Sequence, residues 1–375
     1  MFKKYRLRDF NFRLVILVLL ASGFSILAVN SANEAYVNRQ IFGIGLGIAV
    51  MLVIAFIDYI WILKFYWVAY AGIIGLLAVT TYSSLGASNK GAQRWIEIGP
   101  ISFQPSELAK LVLILFFAQF IMRNKKNINK ILTLILCGIL FAIPAYMILD
   151  QPDLSTTVVI IAIFCSLLFV GGLSWRYIVA AFAIIIPVVG VIVFLAIQPE
   201  STVLEHHQRQ RILAFIYPEE YADSTAYQQI NSEIAIGSGQ LNGKGYKNNE
   251  VTSVKNGRYI LEPHTDFIFA VIGEEFGFKG SVFLIAVLFS IVLECLYVAY
   301  KAKDTAGRLI ASGMAAWIGF QTFVNLGVAT FILPNTGLPL PFISYGLTSI
   351  LCLYMGIGFV LNVKLQQRKN GEVFL

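Results

Sequence analysis

The chain of 375 residues is 58% hydrophobic and only 13% charged, with a formal net charge of +7 and a mean hydropathy of +0.75. Soluble domains carry roughly a quarter charged residues, so this balance excludes an ordinary water-soluble fold. The cations do not indicate nucleic acid, because Lys and Arg gather in short segments between alternate apolar stretches, a signature of membrane topology. Apolar stretches of ~20 residues recur along the chain, enough to cross a hydrocarbon core of ~30 Å. Helices satisfy every backbone polar group in lipid, and the short alternating segments of a transmembrane β-barrel are absent. The composition therefore predicts an all-α polytopic membrane protein.

Lys3, Lys4, Arg6, Arg8 and Arg13 lead into the first apolar stretch. It lacks a small-residue cleavage site and is read as an uncleaved span. Ten transmembrane helices are predicted, at about 13–30, 40–57, 61–80, 105–122, 131–149, 155–171, 176–197, 264–300, 309–333 and 342–363. They make residues 1–375 a single membrane domain. The eighth stretch is too long for a plain crossing at about 1.5 Å per residue, so it protrudes, tilts or breaks, with Gly277 or Gly280 as the place. Lys64, the run from Arg123 to Lys130, Arg176, the run from Lys301 to Arg308, and Lys364, Arg368 and Lys369 fall on the side of the N-terminal cations. The positive-inside rule makes that side the cytoplasm and puts both termini there.

The opposite side carries a loop at 81–104, a QPDLS turn at 151–155, a large extracytoplasmic loop between helices 7 and 8 at about 198–263, and a Pro-rich stretch at 333–341. Loops as long as the third are uncommon without a function. Within it, SEIAIGSGQLNGKG is patterned as a short amphipathic helix followed by glycine turns, suited to lying along the membrane surface. Cys137, Cys165, Cys295 and Cys352 all sit in apolar stretches and are read as small apolar side chains outside any disulfide.

Two clusters carry candidate chemistry. At the mouth of the eighth span stand His264, Thr265 and Asp266. With a helix starting near His264, Asp266, Ala270, Gly273 and Gly277 share one face. A stripe of small residues usually means close helix packing; the alternative is a groove leading from the carboxylate into the membrane. Glu274 and Glu275 point off that face and, as acids in a span, are expected to meet a partner or a cavity. The second cluster runs from Asn89 to Leu111. Pro105 suits the first helical position, Glu107 the first turn, and Lys110 follows at pairing distance. Glu107 and Lys110 form a structural ion pair, or Lys110 joins Arg94 in offering cations to an anionic ligand.

The remaining candidates carry weaker signals. Asp150 and Asp153 flank Pro152, as helix caps or as site residues. Arg209 and Arg211 are either solvated loop charges or part of the site. His206 and His207 are adjacent and lack helical metal spacing. A Gly-rich phosphate loop, a Ser-His-Asp order and a Cys-x-x-Cys pair are all absent from the sequence, so a nucleotide cofactor has no support.

Over essentially its whole length the sequence resembles the SEDS family of bacterial shape, elongation, division and sporulation proteins, to which RodA and FtsW belong. The resemblance rests on GAQRWIEIGPISFQPSELAKL, QPDLST, AYQQINSEIAIGSGQLNGKG, EPHTDFIFAVIGEEFGFKGS and NLGVATFILPNTGLPLPFISYG, in that order. It implies a peptidoglycan glycosyltransferase that polymerises lipid II into a nascent glycan strand at the outer face of the bacterial cytoplasmic membrane, working in membrane lipid beside a class B penicillin-binding protein. Asp266 matches the essential aspartate of the family's HTD motif, with His264 and Thr265 as its other letters. Arg94, Glu107 and Lys110 match polar positions of the family's central cavity, and Asp153 falls in QPDLST. GLPLPF is closer to RodA than to the GLTLPF of FtsW-like members. Leu261 and Leu347 depart from the family pattern, which usually has a proline before the glutamate and a second glycine after SYG; these departures bear on subgroup more than on reaction.

Lipid II bears an α-linked diphosphate and the polymer a β bond, so one inverting displacement needs a single base. Asp266 is the expected base for the acceptor hydroxyl. Arg94, Lys110 and Arg211 are the expected stabilisers of the leaving diphosphate, alone or with a divalent cation such as Mg or Mn. Two rival readings remain. A lipid II flippase accommodates ten spans and interior charges, although paired halves with midplane sites are not visible. A non-catalytic scaffold would recruit the penicillin-binding protein through its spans.

Overall fold

A computed structural model describes residues 9–83, 86–89, 92–98, 101–198, 206–247, 253, 257 and 259–367. Lys3, Lys4, Arg6, Arg8, Arg368 and Lys369 lie outside these, as do positions 199–205 of the large loop and the side chains of His206 and His207. In chain order the elements are α1 (Phe12–Ala32), α2 (Val37–Phe56), α3 (Tyr59–Ile62), α4 (Tyr66–Tyr82), β1 (Gly86–Asn89), β2 (Ala92–Ile98) and β3 (Ile101–Phe103). Then follow α5 (Pro105–Arg123), α6 (Ile131–Asp150), α7 (Leu154–Val170), α8 (Trp175–Ile197), α9 (His206–Ile216), α10 (Tyr227–Ser238), α11 (Ile268–Lys301), α12 (Thr305–Ala329) and α13 (Leu347–Leu365).

Among the described residues, eight helical segments are long and apolar enough to cross a membrane, and Leu154–Val170 is a shorter apolar helix. α8 coincides with the seventh expected span. Helix α5 is 83% buried over its apolar window, against 28% for the segment containing α4. Among the described spans, the helix that carries Glu107 and Lys110 is thus the most enclosed by protein, a setting where intramembrane charges are tolerated. At one end of the bundle the Tyr59 hydroxyl donates to Asp304 Oδ2 at 2.6 Å, and the Asn362 side chain donates to the Ala55 carbonyl at 2.7 Å. The Gln366 amide adds a bond to Asp58 at 2.9 Å, so α2, α12 and α13 are tied together there. All four cysteines are free.

The stretch at 81–104 is not a plain loop. It contains a three-stranded antiparallel sheet in the order β1-β2-β3, with Ile96 opposite Phe103 and Glu97 opposite Ser102. The chain is therefore mostly rather than wholly helical. Alternation of Arg94 and Ile96 with Trp95 and Glu97 suits a half-exposed strand. The sheet is pinned to α13, because the Thr348 hydroxyl donates to the Ser102 carbonyl at 3.1 Å.

The long α11 breaks at Gly277, which takes φ 62 and ψ −161, a conformation open to glycine. The break strands backbone groups on both sides, and the turn after α10 satisfies them. The amides of Phe278 and Lys279 donate to the Gln240 and Leu241 carbonyls at 2.7 and 3.2 Å. Lys244 and Gly245 return bonds to the Glu274 and Glu275 carbonyls at 2.9 and 3.1 Å. Both acids are buried and partnered, Glu274 by Lys244 Nζ at 2.9 Å and Glu275 by the Ser31 hydroxyl.

This clasp corrects one expectation. The small-residue stripe on α11 is no groove for lipid: a Cβ on Gly239 would strike the Gly273 carbonyl, and one on Gly243 the Glu275 carbonyl. Close packing is what the missing side chains permit. α10, expected to be a short amphipathic helix, is anchored to the bundle. Its Gln229 amide donates to the Val328 carbonyl at 3.0 Å and its Ser232 hydroxyl to the Ala329 carbonyl at 2.7 Å, docking it on α12. Because Gly243 combines φ 79 with that steric limit, Gly243→Ala is expected to cost at least about 2 kcal/mol. Thermal unfolding in detergent checks this, with Gly45→Ala, whose Cβ meets nothing within 4 Å, as the control that leaves the midpoint unchanged or slightly raised.

Candidate functional site

α11 begins at Ile268, not near His264, and residues 263–267 form a turn ahead of it. Asp266 therefore does not share a helical face with Ala270, Gly273 and Gly277. The reason is that three successive carbonyls are captured by other parts of the chain. The Tyr345 amide donates to the His264 carbonyl at 2.9 Å. The Ser344 hydroxyl donates to the Thr265 carbonyl at 2.5 Å, and the Asn325 side chain to the Asp266 carbonyl at 2.7 Å. The Asp266 carboxylate is partly exposed and faces Gly337, where a Cβ would lie 3.3 Å from Oδ2. The His264 ring is buried and stacks on Tyr36 with centroids 4.4 Å apart.

Arg211, in α9, is drawn into the same region. Burial lowers its pKa, the neighbouring Arg94 guanidinium adds to that, and the charges of Asp266 and Asp153 oppose it. It stays protonated, as guanidinium does in proteins. Four predicted residues thus share one field: Arg94, Asp153, Arg211 and Asp266. Arg94 grips the turn before α7, donating through Nε to the Gln151 carbonyl at 2.8 Å and through its terminal nitrogen to the Pro152 carbonyl. Asp153 caps α7, accepting from the Thr156 amide at 3.1 Å and hydroxyl at 2.9 Å. Arg209 donates to the Gln198 carbonyl at 2.8 Å.

Glu107 and Lys110 form a second, separate unit. Lys110 is fully buried, 2.6 Å from Glu107 Oε1 and 2.8 Å from Gln321 Oε1, and lies over the Trp317 ring at 5.0 Å. The ion-pair reading made from their spacing matches this geometry. Sequence reasoning missed Gln321, Asn325 and Ser344. Gln321 and Asn325 stand four apart in an apolar span, and two amides on one face of such a helix were the available signal. Gln321 donates to the Pro339 carbonyl at 2.9 Å and Asn325 to the Leu338 carbonyl at 2.6 Å, so together they seat the Pro-rich stretch beside Asp266.

Of the two sequence departures, Leu261 is 72% exposed and touches no core, whereas Leu347 begins α13 and packs on Gly43 of α2. Among the described residues no group of three or more His, Cys, Asp or Glu could hold a metal. The four charges around Asp266 pair two carboxylates with two guanidiniums, which do not suit a protein-built Mg or Mn cage.

A family model described as "Cell cycle protein", covering FtsW, RodA and SpoVE, matches residues 9–369. The peptidoglycan glycosyltransferase MrdB of Escherichia coli K12 is 34% identical over 358 residues, spanning 93% of this chain and 91% of that protein. Among solved structures, a chain from a study of the structural coordination of polymerization and crosslinking by a peptidoglycan synthase complex aligns with a TM-score of 0.80. It is 28% identical and covers 95% of this chain and 97% of its own. The rod shape determining protein RodA of Thermus thermophilus aligns with a TM-score of 0.70 at 27% identity, covering 96% and 98%.

Removing one member of a buried ion pair typically costs about 3–5 kcal/mol. Lys110→Met is accordingly expected to lower the thermal midpoint sharply, and Glu107→Gln added to it to restore most of the loss. Equal midpoints for the single and double variants would contradict this.

Proposed function

The chain belongs to the FtsW/RodA/SpoVE family of cell cycle proteins, and on that premise we propose how its outer-end charges carry out peptidoglycan glycosyl transfer. The protein is a peptidoglycan glycosyltransferase with multiple membrane-spanning helices. Its substrate is lipid II, joined to the growing glycan strand at the outer face of the bacterial cytoplasmic membrane. Ten crossings complete the topology, with α7 and α8 added to the eight long apolar segments and the loop at about 198–263 lying outside between the seventh and eighth. Both termini are cytoplasmic. The support is that Arg123, Lys126, Arg176, Lys301 and Lys364 all lie at alternate, mutually consistent helix ends.

The observation that carries the mechanism is the shared field of Asp266, Arg211, Arg94 and Asp153. Asp266 acts as base: its carboxylate takes the proton of the acceptor sugar's hydroxyl, whose oxygen attacks the anomeric carbon. The bond to the diphosphate breaks on the opposite face, inverting the centre. The leaving diphosphate gains negative charge, which Arg211 and Arg94 stabilise. Arg94 is already engaged with the turn at Gln151 and Pro152, so it presents a fixed positive charge, whereas Arg211 comes from the large loop. His264 and Thr265 shape the acceptor side of the site and Asp153 orients Arg211. The paired Glu107 and Lys110 contribute from below by holding Gln321.

A class B penicillin-binding protein is the proposed partner. The supporting likeness is to the chain from the study of polymerization and crosslinking by a synthase complex.

Purified protein with lipid II in detergent tests the activity, since a flippase has no compartments to work between there. Removing a placed base typically costs ~10²–10⁴-fold, so Asp266→Ala is expected to elute as folded protein with polymerisation reduced by that factor. Arg211→Ala is expected to lose ~10²-fold, as for one donor of a charge-stabilising site. Wild-type rates for Asp266→Ala would end the assignment.

A further inference from the structure

A carboxylate in a turn has no helix to fix its direction, so something else must hold Asp266. The backbone of His264, Thr265 and Asp266 hangs on three donors from two separate segments: the Tyr345 amide, the Ser344 hydroxyl and the Asn325 side chain. Asn325 is 1% exposed and Ser344 3%, so neither reaches a bulky amphiphilic substrate. Asn325 spends both amide hydrogens on carbonyls, those of Asp266 and Leu338. Ser344 accepts from the Leu340 amide at 2.7 Å while donating to Thr265. Each residue therefore ties the 264–266 turn to the 337–344 stretch, whose Gly337 is the neighbour of the Asp266 carboxylate.

We infer that Asn325 and Ser344 are positioning residues for the base: they register the turn carrying Asp266 against the Pro-rich stretch and so set where the carboxylate meets the acceptor hydroxyl. Gln321, one turn earlier, seats the same stretch through Pro339 and is itself held by Lys110, which gives the buried ion pair a route to the site. Because the donors act on backbone carbonyls, their loss leaves the chemistry intact but shifts the base. A misplacement of about 1 Å can cost ~10²-fold in rate. The inference rests on Asp266 being the base.

The test uses the full chain in detergent, with lipid II polymerisation measured per mole of monodisperse protein. Asn325→Leu keeps the branched outline of the side chain and removes the donors; Ser344→Ala removes the hydroxyl alone. Each is expected to lower kcat by about 10- to 100-fold with KM for lipid II within about two-fold. Combining either with Asp266→Asn is expected to add no further loss, since the placement of the base matters only while the base is there. A wild-type kcat in either single variant, a matching rise in KM, or full additivity with Asp266→Asn overturns the inference. Should Asn325→Leu not fold, Ser344→Ala decides alone by the same criteria. If Asp266→Ala itself polymerises normally, the reading of the base has failed; if it is inactive while both single variants keep wild-type kcat, only the positioning role falls.

Discussion

Hydrocarbon offers nothing to a bare peptide group, and an unsatisfied one there costs several kcal/mol. Much of this structure follows from how the chain meets that constraint where its helices fail. α11 breaks at Gly277 and the turn 240–245 supplies the missing partners to both halves. The turn ahead of α11 leaves its carbonyls exposed, and α12 with the 344–345 segment supplies theirs. In both places a non-helical stretch survives because another part of the protein completes its hydrogen bonds, and in the second place that stretch carries the proposed base.

Charge is managed by a different division. The pair inside the bundle, Glu107 with Lys110, is shut in: Lys110 is met by Glu107, Gln321 and the Trp317 face, while Glu107 Oε2 is buried without a hydrogen-bond partner among the described residues. Such a pair earns little net stability but is expensive to break, which suits a brace. The charges around Arg211 are unlike it. They include both signs, draw on β2, α9, the start of α7 and the turn before α11, and lie where loops meet spans. A substrate with a lipid tail and a sugar head presents its reacting bond at that same boundary, so the second set is disposed for chemistry.

Much of this was legible in the residues. Apolar length marks the eight described helices long enough to cross a membrane, and two glycines of an overlong stretch, Gly277 and Gly280, bracket the break that falls at Gly277. The spacing of Glu107 and Lys110 offers their pairing as one of two readings, the one that the geometry shows, and the glycines after Ser238 announce the turns. What stayed hidden depended on distant contacts. The start of α11 was misplaced because its delay comes from Asn325, Ser344 and Tyr345, some 60 to 80 positions away. The stripe of Ala270 and Gly273 favours close packing but does not name its partner, which is α10 and the turn after it. The sheet at 86–103 was obscured by its mixture of charged and aromatic residues, which reads as loop when its pairing is unknown. Asp153 and Arg211 are even choices between cap, solvated charge and site in the sequence, and only three dimensions put Arg211 within the electrostatic reach of both Asp266 and Asp153.

The clasp at Gly277 also has a temporal side. Residues 240–245 precede α11 in the chain, so a ribosome delivers the mate before the broken helix it completes. When Ile268–Lys301 emerges, the partner for its gap has already been made, and no interval arises in which biosynthesis must wait for a downstream segment to shield the defect. The order of the chain thus supplies its own assembly sequence.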